Sequence, residues 1–128
     1  MKHGRITSYN PPVGSEMRVL DIENFREFYD SAGREGLNYT YGCLNDILRR
    51  EGLSSIVRRC KKMLNYGGES LEEDASVFIV TNAGPEKVMK AVENATNALY
   101  WLLRPDDKKS GKPTPHIVVR KLSEYDIL

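Results

Sequence analysis

The stretch VFIVTNAGPEKV, residues 77–88, marks a change from an apolar run to the start of a helix. A continuous apolar run is typical of a strand with both faces covered, so Ser76 to Thr81 is predicted to be a buried strand. Pro85 fits the first turn of a helix, and an apolar stripe at helical spacing continues that helix to Arg104. A buried strand that leads into an amphipathic helix indicates a sheet with helices packed on it.

The turn within that stretch, Asn82, Ala83 and Gly84, lies between the strand and the amino terminus of the helix. Free backbone N–H groups and the helix dipole give such a turn the capacity to bind a small anion. Pro85 removes one donor, and Glu86 places a negative charge in the first helical turn. The turn is therefore interpreted mainly as a strand-to-helix connection, with anion binding as its alternative role.

The remaining chain predicts two further strands and three helical segments. Met17 to Ile22 and His116 to Leu122 are predicted strands. Between them, one helix stops at Gly33 and a helix pair runs from Asn38 to Leu64, with a strand at Leu37 to Tyr41 as the alternative for its start. The expected fold is α/β, or α+β, with a three- to four-stranded sheet, packed helices and the order β-α-α-α-β-α-β.

Length and composition predict one globular domain. The chain has 128 residues, of which 40% are hydrophobic and 29% are charged. This length allows a core without metal or disulfide support, and the composition is neither membrane-like nor disordered. Residues 1–16 are predicted to form an irregular arm and residues 17–128 the domain, with a mobile polar loop at 105–115.

Targeting and cofactor signals are absent from the sequence. The amino terminus lacks the apolar run of a signal peptide, and no segment reaches the ~18 apolar residues of a membrane span. Cys43 and Cys60 have no Cys-x-x-Cys spacing and no neighbouring histidine, so free thiols are expected and a zinc site is not. The sequence predicts a cytoplasmic protein without a cofactor or a membrane partner.

Basic residues cluster in two regions, residues 49–62 and residues 108–121, although the net charge is only +1. The first region, residues 49–62, contains Glu51 as its one acid and is predicted to present a basic helix face. Cations along an exposed face are what binding to a phosphate backbone requires, and Tyr39 and Tyr41 offer rings for base stacking. Binding of nucleic acid, or of a nucleoprotein partner, by a non-enzymatic protein is therefore the leading hypothesis. A solvated helix face is the alternative. The candidate binding residues are Arg49, Arg50, Arg58, Arg59, Lys61, Lys62, Lys108, Lys109 and Lys112.

The end of the long helix suggests a second function. Residues 98–103, ALYWLL, are consecutive apolar positions, and a helix that is apolar on all sides is buried on all sides. This end lies either in the core or in a contact with a second copy through Tyr100 and Trp101. A protein-interaction or regulatory module that homodimerises is therefore the first alternative function.

The tetrapeptide DIEN, residues 21–24, lies where the first predicted strand leads into a helix. In this context it resembles the NYN branch of the PIN-like nuclease superfamily. The resemblance implies a metal-dependent nuclease in which Asp21 is a metal ligand with Asn24 beside it. The family carries a Ser-Gly-Asp type turn after its second strong strand, whereas residues 81–84 have no carboxylate. Helix capping by Asp21 or Asn24 is the alternative interpretation.

Overall fold

The computed structural model describes residues 2–13, 16–81, 84–102 and 114–128. Its helices and strands follow one another as β1 (Gly4–Ile6), β2 (Met17–Ile22), α1 (Phe25–Arg50), β3 (Ser54–Tyr66), β4 (Glu69–Thr81), α2 (Pro85–Leu102), β5 (Ile117–Lys121), a 3-10 turn (Leu122–Glu124) and β6 (Asp126–Ile127). No helix in these ranges is both long enough and apolar enough to span a membrane.

The six strands of the described ranges form one mixed sheet in the order β5-β2-β4-β3-β1-β6. Neighbouring strands are antiparallel, except that β6 runs parallel to β1. The segment from β2 to β5 has the order β-α-β-β-α-β, which is the ferredoxin-like, or split β-α-β, arrangement. Strands β1 and β6 extend this sheet beyond β3.

The predicted three- to four-stranded sheet with the order β-α-α-α-β-α-β is wrong. The sheet has six strands, and the described residues contain only two α-helices. One part of the error lies in residues 54–64, which were expected to form the end of the helix pair and instead belong to β3; the other part is that β1 and β6 were not predicted as strands. The apolar positions of residues 54–64 have helical spacing, but β3 pairs along its whole length with β4, so the long-range ladder overrides the local pattern.

Helix α1 consists of two helical segments that meet in a kink at Gly33. This residue has φ 69° and ψ −169°, a left-handed conformation that glycine adopts without steric cost. The predicted stop at Gly33 is therefore found as a kink, after which the helix continues to Arg50. The alternative strand at Leu37 to Tyr41 is wrong, because these residues are helical.

Two hydrophobic clusters lie on opposite faces of the sheet. On the first, which we call the helix face, Leu48 of α1 and Val88 of α2 pack over Leu20 and Phe78. Both helices bury their apolar stripes there, as amphipathic helices on a sheet must. The helix face therefore carries the larger core.

The opposite side, which we call the second face, is covered by segments from the two ends of the chain. Tyr9 and Tyr125 are buried there against Met17, Val19 and Ile79. Residues of the predicted arm thus contribute a strand, β1, and a buried ring to the domain. The predicted loop at 105–115 falls outside the described residues up to position 113.

Candidate functional site

The basic residues between 58 and 62 lie on a strand, so their side chains alternate between the two faces of the sheet. Val57 pairs with Phe78, whose ring lies in the core of the helix face. Residues two and four positions further along β3 point the same way. Arg59 and Lys61 are therefore the two cations of this segment that share the helix face.

The other two cations point to the second face and are engaged there. The Lys62 Nζ lies 2.7 Å from Asp21 Oδ1, and its side chain is only 7% exposed. The Arg58 guanidinium lies 5.4 Å from the centre of the Tyr9 ring, close enough for a cation-π contact. The predicted basic helix face is therefore wrong, because a strand separates its members and buries one of them.

Asp21 is a buried partner of other side chains and has no free oxygen for a metal. Its Oδ1 accepts a hydrogen bond from Lys62, and its Oδ2 accepts one from the Tyr125 hydroxyl at 2.6 Å. Among the residues that the structure describes, no group of three or more His, Cys, Asp and Glu side chains lies together as a metal site would require. The donor set does not fit the metal ligand that the nuclease resemblance implies.

Asn24 joins the start of α1 to the start of β5. Its Nδ2 donates to the Thr114 carbonyl at 2.8 Å, and its Oδ1 accepts from the His116 N–H at 2.7 Å. Although Asn24 is the N-cap residue of α1, its side chain makes no capping hydrogen bond. Its role in the fold is therefore to hold two distant segments together.

Burial keeps the hydroxyl and thiol groups around Asp21 neutral. The pKa of Tyr41 is raised to about 12, mainly by burial, while its hydroxyl donates to the Ser76 carbonyl at 2.8 Å. Burial and the Asp21 carboxylate raise the pKa of Cys60 to about 11 and that of Tyr125 well above its usual value. A thiol with a raised pKa is a poor nucleophile, so this cluster has a structural role.

An open cleft of about 600 Å³ lies between the first half of α1 and the β3-β4 hairpin. Phe25 and Tyr29 line one wall, with ring centres 5.6 Å apart and an angle of 20° between the rings. Tyr41 adds a third ring, and Arg34 and Arg59 bring guanidinium groups from the helix and from β3. We call this site the aromatic cleft.

The acids of the aromatic cleft are already paired, whereas two of its cations are not. Glu73 accepts a hydrogen bond at 2.6 Å from an arginine of α1, and Asp74 accepts one from the Lys61 ammonium group. The hydrogen bond from Lys61 lowers the pKa of Asp74, and the nearby Arg59 charge lowers it further. Arg34 and Arg59 are exposed, and their guanidinium groups form no hydrogen bond or ion pair with any residue that the structure describes. The cleft therefore presents positive charge to solvent.

The structure does not bring the other predicted cations into the aromatic cleft. Arg49 and Arg50 are exposed in the last turn of α1, at the opposite end of that helix from Tyr29. Arg50 lies instead in a groove of about 500 Å³ with Tyr39. The three predicted lysines of the loop, Lys108, Lys109 and Lys112, lie outside the described residues.

The two remaining predicted sites fall mostly outside the described part of the chain. Asn82 and Ala83 are not described; Gly84 is exposed, and its carbonyl accepts a hydrogen bond from the Val88 N–H at 3.3 Å. Tyr100 and Trp101 belong to α2, but their side chains are outside the described set. Anion binding at the turn and dimer contacts at these rings stay predictions.

Sequence reasoning missed most of the aromatic cleft. Phe25 and Tyr29 are one helical turn apart, which indicates a shared side but does not separate a cleft wall from the core. Arg34 stands alone between uncharged and acidic neighbours, so no cluster of charge draws attention to it. Only Arg59 and Tyr41 were singled out, because they lie near other cations or aromatic residues in the chain.

No model of a known protein family matches the chain, and no curated protein is significantly similar to it. Function is therefore inferred from the aromatic cleft itself.

Proposed function

We propose that the protein binds single-stranded nucleic acid, with bases in the aromatic cleft and phosphates on Arg34 and Arg59. The observation that supports this is the presence of two unpaired guanidinium groups beside the partly exposed Tyr29 ring, which stacks on the buried Phe25 ring. Stacking of a base on an aromatic side chain contributes about 1–3 kcal/mol, and guanidinium groups bind phosphate through paired hydrogen bonds. The two kinds of contact match the two parts of a nucleotide.

The size and charge of the site favour a short single-stranded segment. A cleft of about 600 Å³ is large enough for a base and part of its backbone. The net charge of +1 provides no long-range attraction, so affinity must come from local contacts. With two phosphate contacts, the logarithm of the association constant should fall with the logarithm of salt concentration with a slope of about −1.4.

The decisive experiment compares two double variants that remove the same charge. Arg34→Ala with Arg59→Ala should weaken binding of a labelled single-stranded oligonucleotide at least about tenfold, since a hydrogen bond to a charged group contributes about 1.5–3 kcal/mol. Arg49→Ala with Arg50→Ala, at the far end of α1, should change binding by less than about twofold. Fluorescence anisotropy at fixed salt measures both. Equal losses in the two variants, or no loss in the first, would show that the cleft is not the binding site.

A further variant separates base stacking from simple attraction to a polyanion. Tyr29→Leu keeps an apolar side chain but removes the ring, so it should weaken oligonucleotide binding while leaving binding of inorganic polyphosphate unchanged. Circular dichroism would confirm that the variant is folded. If both ligands bind equally well to the variant and to the parent protein, the cleft does not recognise bases.

A further inference from the structure

Strand β5 lies at one end of the sheet and has no neighbour on its outer side among the described strands. The opposite end is extended by two short strands, β1 and β6, and the Leu128 N–H donates to the Ile6 carbonyl at 2.8 Å. An open strand edge is a template for pairing with another chain. The two ends of the sheet are therefore unequally protected.

The ladder between β2 and β5 shows which backbone groups point outward. The Glu23 N–H donates to the His116 carbonyl at 2.7 Å, and bonded and non-bonded pairs alternate along an antiparallel ladder. Val118 therefore directs its backbone groups toward β2. Ile117 and Val119 direct their N–H and C=O groups to the open edge.

The open part of this edge is short and has a defined end. Lys121 also points outward by the same alternation, and its N–H donates to the Glu124 carboxylate at 2.8 Å. This hydrogen bond agrees with the assignment of outward residues. It also closes the strand at that end and leaves residues 117–119 for pairing.

An apolar groove of about 590 Å³ runs beside this edge on the helix face, between β5 and α2. Met89 lines it, and this large apolar side chain is 61% exposed. Val92 and Val119 line the groove from the helix and the strand. Unpaired backbone groups and an apolar surface therefore meet at one edge, as in sites that accept an added strand.

We propose that two copies of this chain join through β5, paired antiparallel about a two-fold axis at Val118, to form one continuous sheet. In this register Ile117 of each copy faces Val119 of the other, so the outward groups of both residues form about four hydrogen bonds. The same patch meets itself, as an isologous interface requires. The Met89 side chains of the two copies then approach across the junction.

Charge complementarity favours a second copy of this chain as the partner that pairs with the open edge of β5. The basic end of β5, Arg120 and Lys121, aligns with the first residues of β5 in the partner copy. There the Glu23 carboxylate lies 3.2 Å from His116 Nδ1 and is half exposed. Antiparallel pairing thus places each basic end near an acid and keeps the two basic ends a strand length apart.

Disulfide trapping tests the register. Residues at the two-fold axis form a non-hydrogen-bonded pair with Cα atoms about 4.5 Å apart, within the span of a disulfide. In a Cys43→Ser background, Val118→Cys should give a covalent dimer under mild oxidation. Leu71→Cys, an exposed position on β4, should stay mostly monomeric under the same conditions. Equal cross-linking of the two variants would overturn the proposal.

Sedimentation equilibrium tests the interface without an added cysteine. The parent chain should dimerise with increasing concentration, and Met89→Lys should raise the dimer dissociation constant at least about tenfold by placing two charges in the junction. Leu71→Lys makes the same change on an exposed apolar residue and should leave the constant unaltered. A parent chain that stays monomeric at submillimolar concentration overturns the proposal, as does a dimer that Met89→Lys leaves intact.

Discussion

Lys61 and Lys62 are neighbours in sequence, yet their charges have different roles. Lys61 is exposed and pairs with Asp74 at the surface, whereas Lys62 is buried against Asp21 and contacts the Ile22 carbonyl. Moving a charge out of water costs several kcal/mol, and only a well-placed partner offsets this. Lys62 therefore belongs to the core, and its charge is not available to a ligand.

Replacing Lys62 should destabilise the fold far more than replacing Lys61. Lys62→Met leaves the buried Asp21 carboxylate without its counter-ion and should lower the free energy of unfolding by about 3–5 kcal/mol. Lys61→Met removes a pair at the surface, where solvent screens the charges, and should lower the free energy of unfolding far less. Urea unfolding followed by circular dichroism measures both. Adding Asp21→Leu to Lys62→Met should recover part of the loss; similar losses in the two single variants would contradict this account.

At the scale of elements, local pattern was sufficient for some segments and misleading for others. The predicted strand Met17 to Ile22 is confirmed, as is the helix that begins at Pro85. Each has a clear boundary signal or an unbroken apolar run. Strand β3 carries polar and basic residues on both faces, and the start of β4 is acidic and exposed, so neither shows strand alternation. These two strands form because they pair with each other, and the residue pattern of either strand alone does not indicate that pairing.

Two glycines of α1 should respond in opposite directions to the same substitution. Gly33→Ala forces a side chain into the left-handed region and should lower the free energy of unfolding by about 1–2 kcal/mol. Gly42 lies in the regular helix, and a Cβ added there would meet no atom within 4 Å, so Gly42→Ala should raise the free energy of unfolding by about 0.5–1 kcal/mol. Thermal unfolding of the two variants measures the difference. A gain from Gly33→Ala would show that the kink is not required.

At the scale of the whole molecule, long-range pairing determines what the sequence alone could not predict. Strand β1 pairs with β3 more than fifty residues later, and Tyr125 bonds Asp21 across 104 residues. The aromatic cleft arises in the same way, because Arg59 was recognisable as a cation while Tyr29 and Arg34 reach it from another element. The sequence shows which residues can bind phosphate or stack on bases. Which of these residues lie together depends on the folded sheet.

The buried groups that link these elements should make the whole molecule sensitive to alkali. In the folded state the pKa of Cys60 rises from 9.0 to about 11 and that of Tyr41 from 10.0 to about 12, because burial favours their neutral forms. The unfolded chain therefore loses these protons first, so the stabilisation is complete below pH 9 and is lost as pH rises toward 12. Each group should contribute up to about 1.4 kcal/mol per pH unit within its own interval.

Urea unfolding from pH 8 to pH 11 should show this decline, with a shallower slope in Cys60→Ala above pH 9 and in Tyr41→Phe above pH 10. Tyr39→Phe, which removes an exposed tyrosine, is the matched control, and slopes that are the same in all four proteins would show that these buried groups do not couple folding to pH.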